Sequence, residues 1–256
     1  MFNLEIDYEY FEDVNLGLVK YMPKDKKILD IGCGCGLLGE IYRKNQNYVV
    51  GIDLSPAINH AALERLDEFY NMDITDFTKV TEKLADNQFD VIIFADILEH
   101  IYDPISTVTF YKKFLKKDGK IYISVPNFVV WYSRLQILFG NYKYTDVGTN
   151  DKTHIRIFTR NNIKQLAKAT ALSIIKIDIT PGIARYFVNF IRRFFKTQNK
   201  EQNTVKNLDR TIMMQSKSYK FYVKFLYNME YYFCKIWPGM LAFQYIVVLQ
   251  DDKKIS

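Results

Sequence analysis

The chain has 256 residues, of which 48% are hydrophobic and 25% are charged, so wholesale disorder is excluded and one domain with an elaboration is expected. The formal net charge of +6 is unevenly distributed: residues 1–182 carry 22 Lys/Arg and 24 Asp/Glu, whereas residues 183–224 carry 10 and 2. Three cysteines are too few for a disulfide framework, and the acidic N-terminus resembles no secretion signal. We therefore expect a reducing, cytoplasmic location.

From residue 26 to about residue 180, short β-branched runs alternate with longer mixed segments, which is typical of βαβ units around a parallel sheet. A further apolar run follows near the C-terminus. The pattern predicts strands at 26–32, 48–54, 69–74, 89–95, 119–125, 172–179 and 242–250, and helices at 36–45, 56–67, 78–85, 105–116 and 160–169, the last with Thr159 as N-cap. We expect one α/β domain over residues 1–256, with an insertion at 183–238 between the last two strands.

The first predicted strand runs directly into a glycine-rich turn, residues 32–36, and then into a helical pattern. Glycines at such a turn let the backbone approach a ligand closely and place free N–H groups at the start of a helix. Gly34, Gly36 and Gly39 also match the spacing of a dinucleotide-binding turn. The turn alone therefore does not exclude the hypothesis that the protein is a nicotinamide-dependent dehydrogenase.

Two aspartates narrow the choice of cofactor. Asp53 ends the second predicted strand, where a carboxylate can accept hydrogen bonds from both hydroxyls of a ribose. Asp30 lies just before the glycines. An acid at this position would not favour the pyrophosphate of a dinucleotide, but it would attract the positively charged amino-acid group of another cofactor. The pair favours a nucleoside cofactor that has a cationic end.

These residues resemble class I S-adenosylmethionine-dependent methyltransferases, since ILDIGCGCG and GIDLS look like the family's first and second motifs. The resemblance continues through residues 71–74, 89–104 and 115–127, and is strongest to the subgroup that includes ubiquinone-biosynthesis O-methyltransferases. It implies S-adenosylmethionine as cofactor and a Rossmann-like, doubly wound sheet of seven strands whose last strand is antiparallel. The cofactor contacts that it implies are Asp30, Gly32, Cys33, Gly34, Gly36, Asp53, Leu54, Asp73, Ile74 and Ala95.

The segment 125–172 is similar to one in bacterial methyltransferases associated with glycan or cell-surface assembly. There it arches over the methyl-acceptor side, which implies acceptor contacts at Asp151, Thr153 and His154. A hydroxyl acceptor also needs a base. The motifs place His100 and His154 near the carboxyl edge of the sheet, and we expect His154 to be the base and His100 to be a polar wall residue.

Asp96, Glu99 and His100 form a D-x-x-E-H cluster after the fourth predicted strand. The related ubiquinone-pathway enzymes carry E-x-x-E-H here, linked to a divalent ion, but this chain departs at Asp96. We expect a helix-capping cluster that shapes the pocket wall and no metal, while a divalent ion at these three residues stays open. Cys33 and Cys35 lack nearby partners for a metal site.

The insertion 183–238 is expected to be basic, aromatic and helical. In its first part, aromatic and aliphatic residues at helical spacing (Phe187, Phe190, Ile191, Phe194 and Phe195) oppose arginines and lysines, and residues 216–232 repeat the design. Such helices suit an anionic membrane surface or an acidic lipid-linked substrate. The alternative is a lid whose charges are simply solvated.

Together these features predict methyl transfer to a hydroxyl or amine of a small-molecule, glycan or lipid-linked acceptor. For the insertion, peripheral association with the inner membrane surface and a lid over the site both stay open. An RNA methyltransferase, or a non-catalytic cofactor-binding module that docks on membranes, are the competing interpretations. Nucleic acid is disfavoured because the Asn/Asp-Pro-Pro-aromatic signature of DNA-base methylation is absent after the fourth predicted strand.

Overall fold

The computed structural model describes residues 15–54, 59–146, 148–183 and 226–251. Within these residues seven strands form one sheet, in the order β3-β2-β1-β4-β5-β7-β6. The strands are β1 (Lys27–Ile31), β2 (Tyr48–Asp53), β3 (Glu68–Asn71), β4 (Phe89–Ala95), β5 (Leu115–Pro126), β6 (Leu172–Pro181) and β7 (Ala242–Asp251). The first five run parallel, and β7 is antiparallel to both β5 and β6. This confirms the doubly wound sheet with an antiparallel last strand.

Helices connect the strands and cover the sheet on both faces. Those described are α1 (Leu16–Val19), α2 (Leu37–Lys44), α3 (Asn59–Arg65), α4 (Phe77–Leu84), α5 (Pro104–Tyr111), α6 (Trp131–Leu138), α7 (Arg160–Ala169), α8 (Tyr227–Ile236) and α9 (Pro238–Leu241). Thr159 caps α7 in a reciprocal arrangement with Asn162, as its hydroxyl accepts from the Asn162 amide. The predicted N-cap is therefore confirmed.

The strands are buried on both faces because successive side chains point in opposite directions. Along β1, Leu29 and Ile31 belong to one apolar cluster, while Ile28 belongs to a second cluster with Leu18 and Val49. All five side chains are 0% exposed. The two-sided core explains why the central strands read as nearly continuous apolar runs.

Several predicted boundaries differ from the structure. The helix predicted at 105–116 ends at Tyr111, because β5 begins at Leu115, whose backbone pairs with Phe89. The strand predicted at 69–74 ends at Asn71. The helix α6 was not predicted at all, since three of its apolar residues face outward rather than toward the core (Leu135, Ile137 and Leu138).

The insertion joins the edge strand β6 to β7, which lies inside the sheet. Its described end contains α8 and α9, whereas the predicted helices with Phe187 to Phe195 lie outside the described residues. In the part of the chain that is described, no helix has the length and apolarity needed to cross a bilayer.

Candidate active site

The turn after β1 is built by glycines in a conformation that other residues rarely adopt. Gly32, Gly34 and Gly36 have φ angles of 71°, 55° and 76°. A Cβ atom on Gly32 would lie 2.6 Å from the side chain of Ile97, so a larger residue there would have to displace the segment after β4. The turn is held to the neighbouring strand because the Gly34 amide donates a hydrogen bond of 2.9 Å to Oδ2 of Asp53.

Asp30 is a buried acid next to this turn. Its side chain is 1% exposed, and its Oδ1 has no hydrogen-bond partner among the described residues. Burial, and after it the negative charge of Asp53, raises the pKa of Asp30 to about 7. An orphaned buried oxygen beside a second acid fits a cationic group, as the amino-acid end of S-adenosylmethionine would supply.

The remaining predicted cofactor contacts lie where β2 and β3 end. Asp53 is buried at the end of β2, and Leu54 follows it with 58% of its surface exposed. The backbone of Met72 donates to the carbonyl oxygen of Asp53 at 3.1 Å, which brings the loop after β3 alongside. There the exposed Asp73 accepts from the Thr75 amide and hydroxyl through one oxygen, Oδ1.

Ile74 and the buried Cys33 complete the predicted donor side. Ile74 is half-buried, and its carbonyl oxygen accepts a hydrogen bond of 2.9 Å from the hydroxyl of Tyr111. Burial raises the pKa of the Cys33 thiol, which packs beside Gly51. The structure thus brings all of these predicted residues to one edge of the sheet.

Asp96 follows Ala95 at the end of β4 and has a positive φ of 51°, which is uncommon for a non-glycine residue and costs strain. Its carboxylate is held from two distant parts of the chain. Asn15 Nδ2 donates to Oδ2 at 3.0 Å, and Gln244 Nε2 donates to Oδ1 at 2.9 Å. Sequence reasoning missed both amide partners, since neither lies in a motif.

The structure brings His100 and His154 together, with ring centroids 4.9 Å apart. Nδ1 of His100 lies 3.2 Å from the carbonyl oxygen of Thr153, and Nδ1 of His154 lies 3.3 Å from that of Thr149. Because a carbonyl oxygen only accepts, each Nδ1 carries the proton and each Nε2 offers a lone pair. His154 Nε2 lies 3.9 Å from Oε1 of Glu99.

Burial controls the charges of this cluster. It lowers the pKa of His100 to about 4, with a further contribution from His154, and it lowers the pKa of His154. Burial, and after it the charge of Asp96, raises the pKa of Glu99 well above its ordinary value. Both imidazoles are therefore neutral at pH 7, which is the form that accepts a proton.

Residues 148–156 lie against the segment that follows β4. Asp151 Oδ1 accepts from the amide and hydroxyl of Thr153 at 2.8 and 2.7 Å, and the Ile155 amide donates to the carbonyl oxygen of Glu99 at 2.9 Å. The predicted acceptor contacts thus lie beside the histidines. The expected helix-capping role was wrong for this cluster, since α5 is capped by Asp103, which accepts from the Ser106 amide.

Glu99, His100 and His154 also fit a divalent cation. Each offers one ligand atom, and these atoms all lie within 4.8 Å of one another. Glu99 Oε2 is buried without a hydrogen-bond partner among the described residues, and histidines whose Nδ1–H is bound by a carbonyl are oriented as metal ligands usually are. Two imidazoles and one carboxylate suit a first-row transition metal better than magnesium.

Comparison with known proteins bears on the family to which the chain belongs. A family model described as a methyltransferase domain matches residues 2–177. A ubiquinone biosynthesis O-methyltransferase from Idiomarina loihiensis is 33% identical over 157 residues, which are 60% of this chain and 64% of that protein. One from Pseudomonas aeruginosa is 31% identical over 132 residues, covering 48% of this chain and 56% of the relative. The chain thus spans a little over half the length of these curated relatives.

The fold has its own counterpart among solved structures. A SAM-dependent methyltransferase from Archaeoglobus fulgidus superposes with a TM-score of 0.55 at 16% identity, covering 91% of this chain and 90% of that one. At this identity the likeness concerns the fold alone. Together with the family match over residues 2–177, it confirms the resemblance seen in the motifs. The chain belongs to the methyltransferase-domain family, has the class I fold, and has S-adenosylmethionine as its cofactor.

Proposed function

We propose that the protein transfers the methyl group of S-adenosylmethionine to a hydroxyl oxygen of a small or lipid-linked acceptor bound beside His154. The observation that carries this is the 3.9 Å separation of His154 Nε2 from Glu99 Oε1, which is too long for a direct hydrogen bond and leaves Nε2 for a hydroxyl. The names of the relatives, O-methyltransferases of ubiquinone biosynthesis, support an oxygen rather than a nitrogen as acceptor.

The reaction is an in-line displacement. The acceptor oxygen forms a bond to the methyl carbon as the bond from that carbon to the sulfonium sulfur breaks, giving a methyl ether and S-adenosylhomocysteine. The hydroxyl proton moves to Nε2 of His154, while Nδ1–H stays bonded to the Thr149 carbonyl. Burial keeps the imidazole neutral beforehand, and the charges of Asp151 and Asp96, which favour the protonated form, stabilise the imidazolium that forms.

A divalent cation held by Glu99, His100 and His154 would occupy the Nε2 lone pair of His154, and it would replace His154 as the activating group by lowering the pKa of the acceptor hydroxyl as a Lewis acid. The chain's own residues position the acceptor in either case, because the carbonyl oxygens of Thr149 and Thr153 fix both rings. The carboxylates of Asp96 and Asp151 make this side of the site unfavourable for the phosphates of RNA. That charge supports the small-molecule proposal over the RNA alternative.

The test follows radiolabelled methyl transfer from S-adenosylmethionine to catechol, to a membrane lipid extract and to total RNA. We expect alkali-stable ether label on the catechol or in the lipid fraction. His154→Ala should lower turnover by about 10²–10⁴-fold while leaving the affinity for S-adenosylhomocysteine unchanged. His60→Ala, which removes an exposed histidine of α3, is the matched control. Label on RNA alone, or normal turnover in His154→Ala, would contradict the proposal.

A further inference from the structure

The helix α8 is apolar on the side that faces solvent. Met229, Tyr232, Phe233 and Ile236 are 70%, 69%, 55% and 78% exposed. Their spacing of i, i+3, i+4 and i+7 places them on one face, a stripe that a helix normally buries. The opposite face already packs on the sheet through Cys234, which is 0% exposed. No described part of the domain buries the stripe, which makes it a candidate contact surface.

The stripe ends at the edge of the sheet that holds the site. Trp237, which follows α8, is 62% exposed. The next turn is tied to the end of β5, because Asn127 Nδ2 donates to the carbonyl oxygens of Pro238 and Ala242 at 3.3 and 2.9 Å. The helix α6 starts four residues after Asn127 and ends in two further exposed apolar side chains, Leu138 (74%) and Phe139 (76%).

The stripe lies next to charged residues of both signs and follows a basic stretch of sequence. Lys235 is exposed on α8 itself, and Lys20 Nζ lies 4.5 Å from the ring centroid of Tyr231. Asp178 is buried and pairs with Lys20 at 2.9 Å, so this lysine is neutralised, and Glu230 lies on α8 together with Lys235. The excess positive charge therefore comes from the sequence that leads into α8, which has 10 Lys/Arg and 2 Asp/Glu in residues 183–224.

We propose that the outward face of α8, continued by Trp237, docks the protein on an anionic membrane surface. Aromatic and aliphatic side chains would enter the boundary between headgroups and acyl chains, while lysines remain at the headgroups. Tryptophan and tyrosine prefer this boundary because they are apolar and can still hydrogen bond. The docked enzyme would present the carboxyl edge of its sheet to acceptors dissolved in the bilayer.

The experiment is sedimentation of the full chain with vesicles of phosphatidylcholine, with and without phosphatidylserine, at low and high salt. The unaltered protein should bind the anionic vesicles, less strongly at high salt. Phe233→Glu/Ile236→Glu should weaken this binding by about tenfold or more, because two apolar contacts are replaced by charges that anionic lipid repels. Leu63→Glu, on an exposed apolar residue of α3, is the control and should bind as before.

Affinity for S-adenosylhomocysteine, measured on each variant, shows that the fold is intact and keeps this test separate from that of the methyl acceptor. Three results would overturn the proposal. The first is that the unaltered protein does not bind anionic vesicles at low salt. The second is that Phe233→Glu/Ile236→Glu binds them as well as the unaltered protein does. The third is that the unaltered protein forms a dimer without lipid and that this double variant is a monomer. The last result would make the stripe an interface between two copies.

Discussion

The Gly34 amide donates a hydrogen bond of 2.9 Å to Oδ2 of Asp53, and this contact joins the turn after β1 to the end of β2. The acid predicted to hold the ribose thus also fixes the backbone predicted to approach the cofactor. Asp30 lies on the strand that leads into this turn, and the charge of Asp53 helps to raise its pKa. The donor site is therefore one electrostatic unit, and its parts should respond together to pH and to substitution.

Cofactor affinity should fall as the solution becomes more acidic. The pKa of Asp30 is raised to about 7, so the carboxylate that attracts the cationic amino group is lost as pH drops below that value. Calorimetric titration of S-adenosylhomocysteine should show about tenfold weaker binding at pH 6 than at pH 8. Asp30→Asn should bind more weakly at pH 8 and lose this dependence. A variant that kept the full pH dependence would assign it to another group.

A transition-metal ion should bind at the histidine cluster. Titration with Co²⁺ should give a visible absorption band at one equivalent, and His154→Ala should weaken this binding by at least about tenfold. Asp96→Asn is the matched comparison, because the oxygens of Asp96 already accept from Asn15 and Gln244. The predicted ligand set would be wrong if cobalt binding survived His154→Ala and disappeared in Asp96→Asn, or if no band formed.

Asp178 should stabilise the fold at neutral pH and lose this effect in acid. Burial alone would raise its pKa, but hydrogen bonds from two tyrosine hydroxyls and a lysine hold the pKa of Asp178 well below its ordinary value. A carboxylate with a lowered folded-state pKa stabilises the protein at neutral pH and ceases to do so as pH falls. Asp178→Asn should lower the free energy of unfolding at pH 7 by about 1–3 kcal/mol in urea denaturation. The exposed Asp86→Asn is its control, and equal stability of both variants would contradict this role.

The donor side was predictable from the sequence because its parts are local. The predicted cofactor contacts lie at or next to the ends of strands, so a run of apolar residues with glycines or an acid at its end marks the position, as Asp30, Gly32 and Asp53 illustrate. Parallel strands then bring these ends to one edge without further information. The doubly wound sheet and its antiparallel last strand came from the family resemblance, whereas the order of the strands came from the structure.

The acceptor side was less predictable because its contacts join distant parts of the chain. His154 lies near Glu99 although the two residues are 55 positions apart in the sequence, and no local sequence pattern predicts such a contact. The amides that hold Asp96 come from Asn15 and Gln244, which are 81 and 148 residues away. The outward stripe of α8 reads in sequence as an ordinary core face, so only the packing of Cys234 reveals which side is buried.

The most direct test of the donor site is calorimetric titration of S-adenosylhomocysteine and of NAD into the unaltered protein, Asp53→Ala and the surface control Asp86→Ala. The unaltered protein and the control should bind S-adenosylhomocysteine with a Kd on the order of micromolar and should not bind NAD. Asp53→Ala should lose detectable binding, because the ribose loses its carboxylate and the Gly34 amide loses its acceptor. Circular dichroism would show that the variant remains folded. Undiminished affinity in a folded Asp53→Ala, or binding of NAD in place of S-adenosylhomocysteine, would contradict the account.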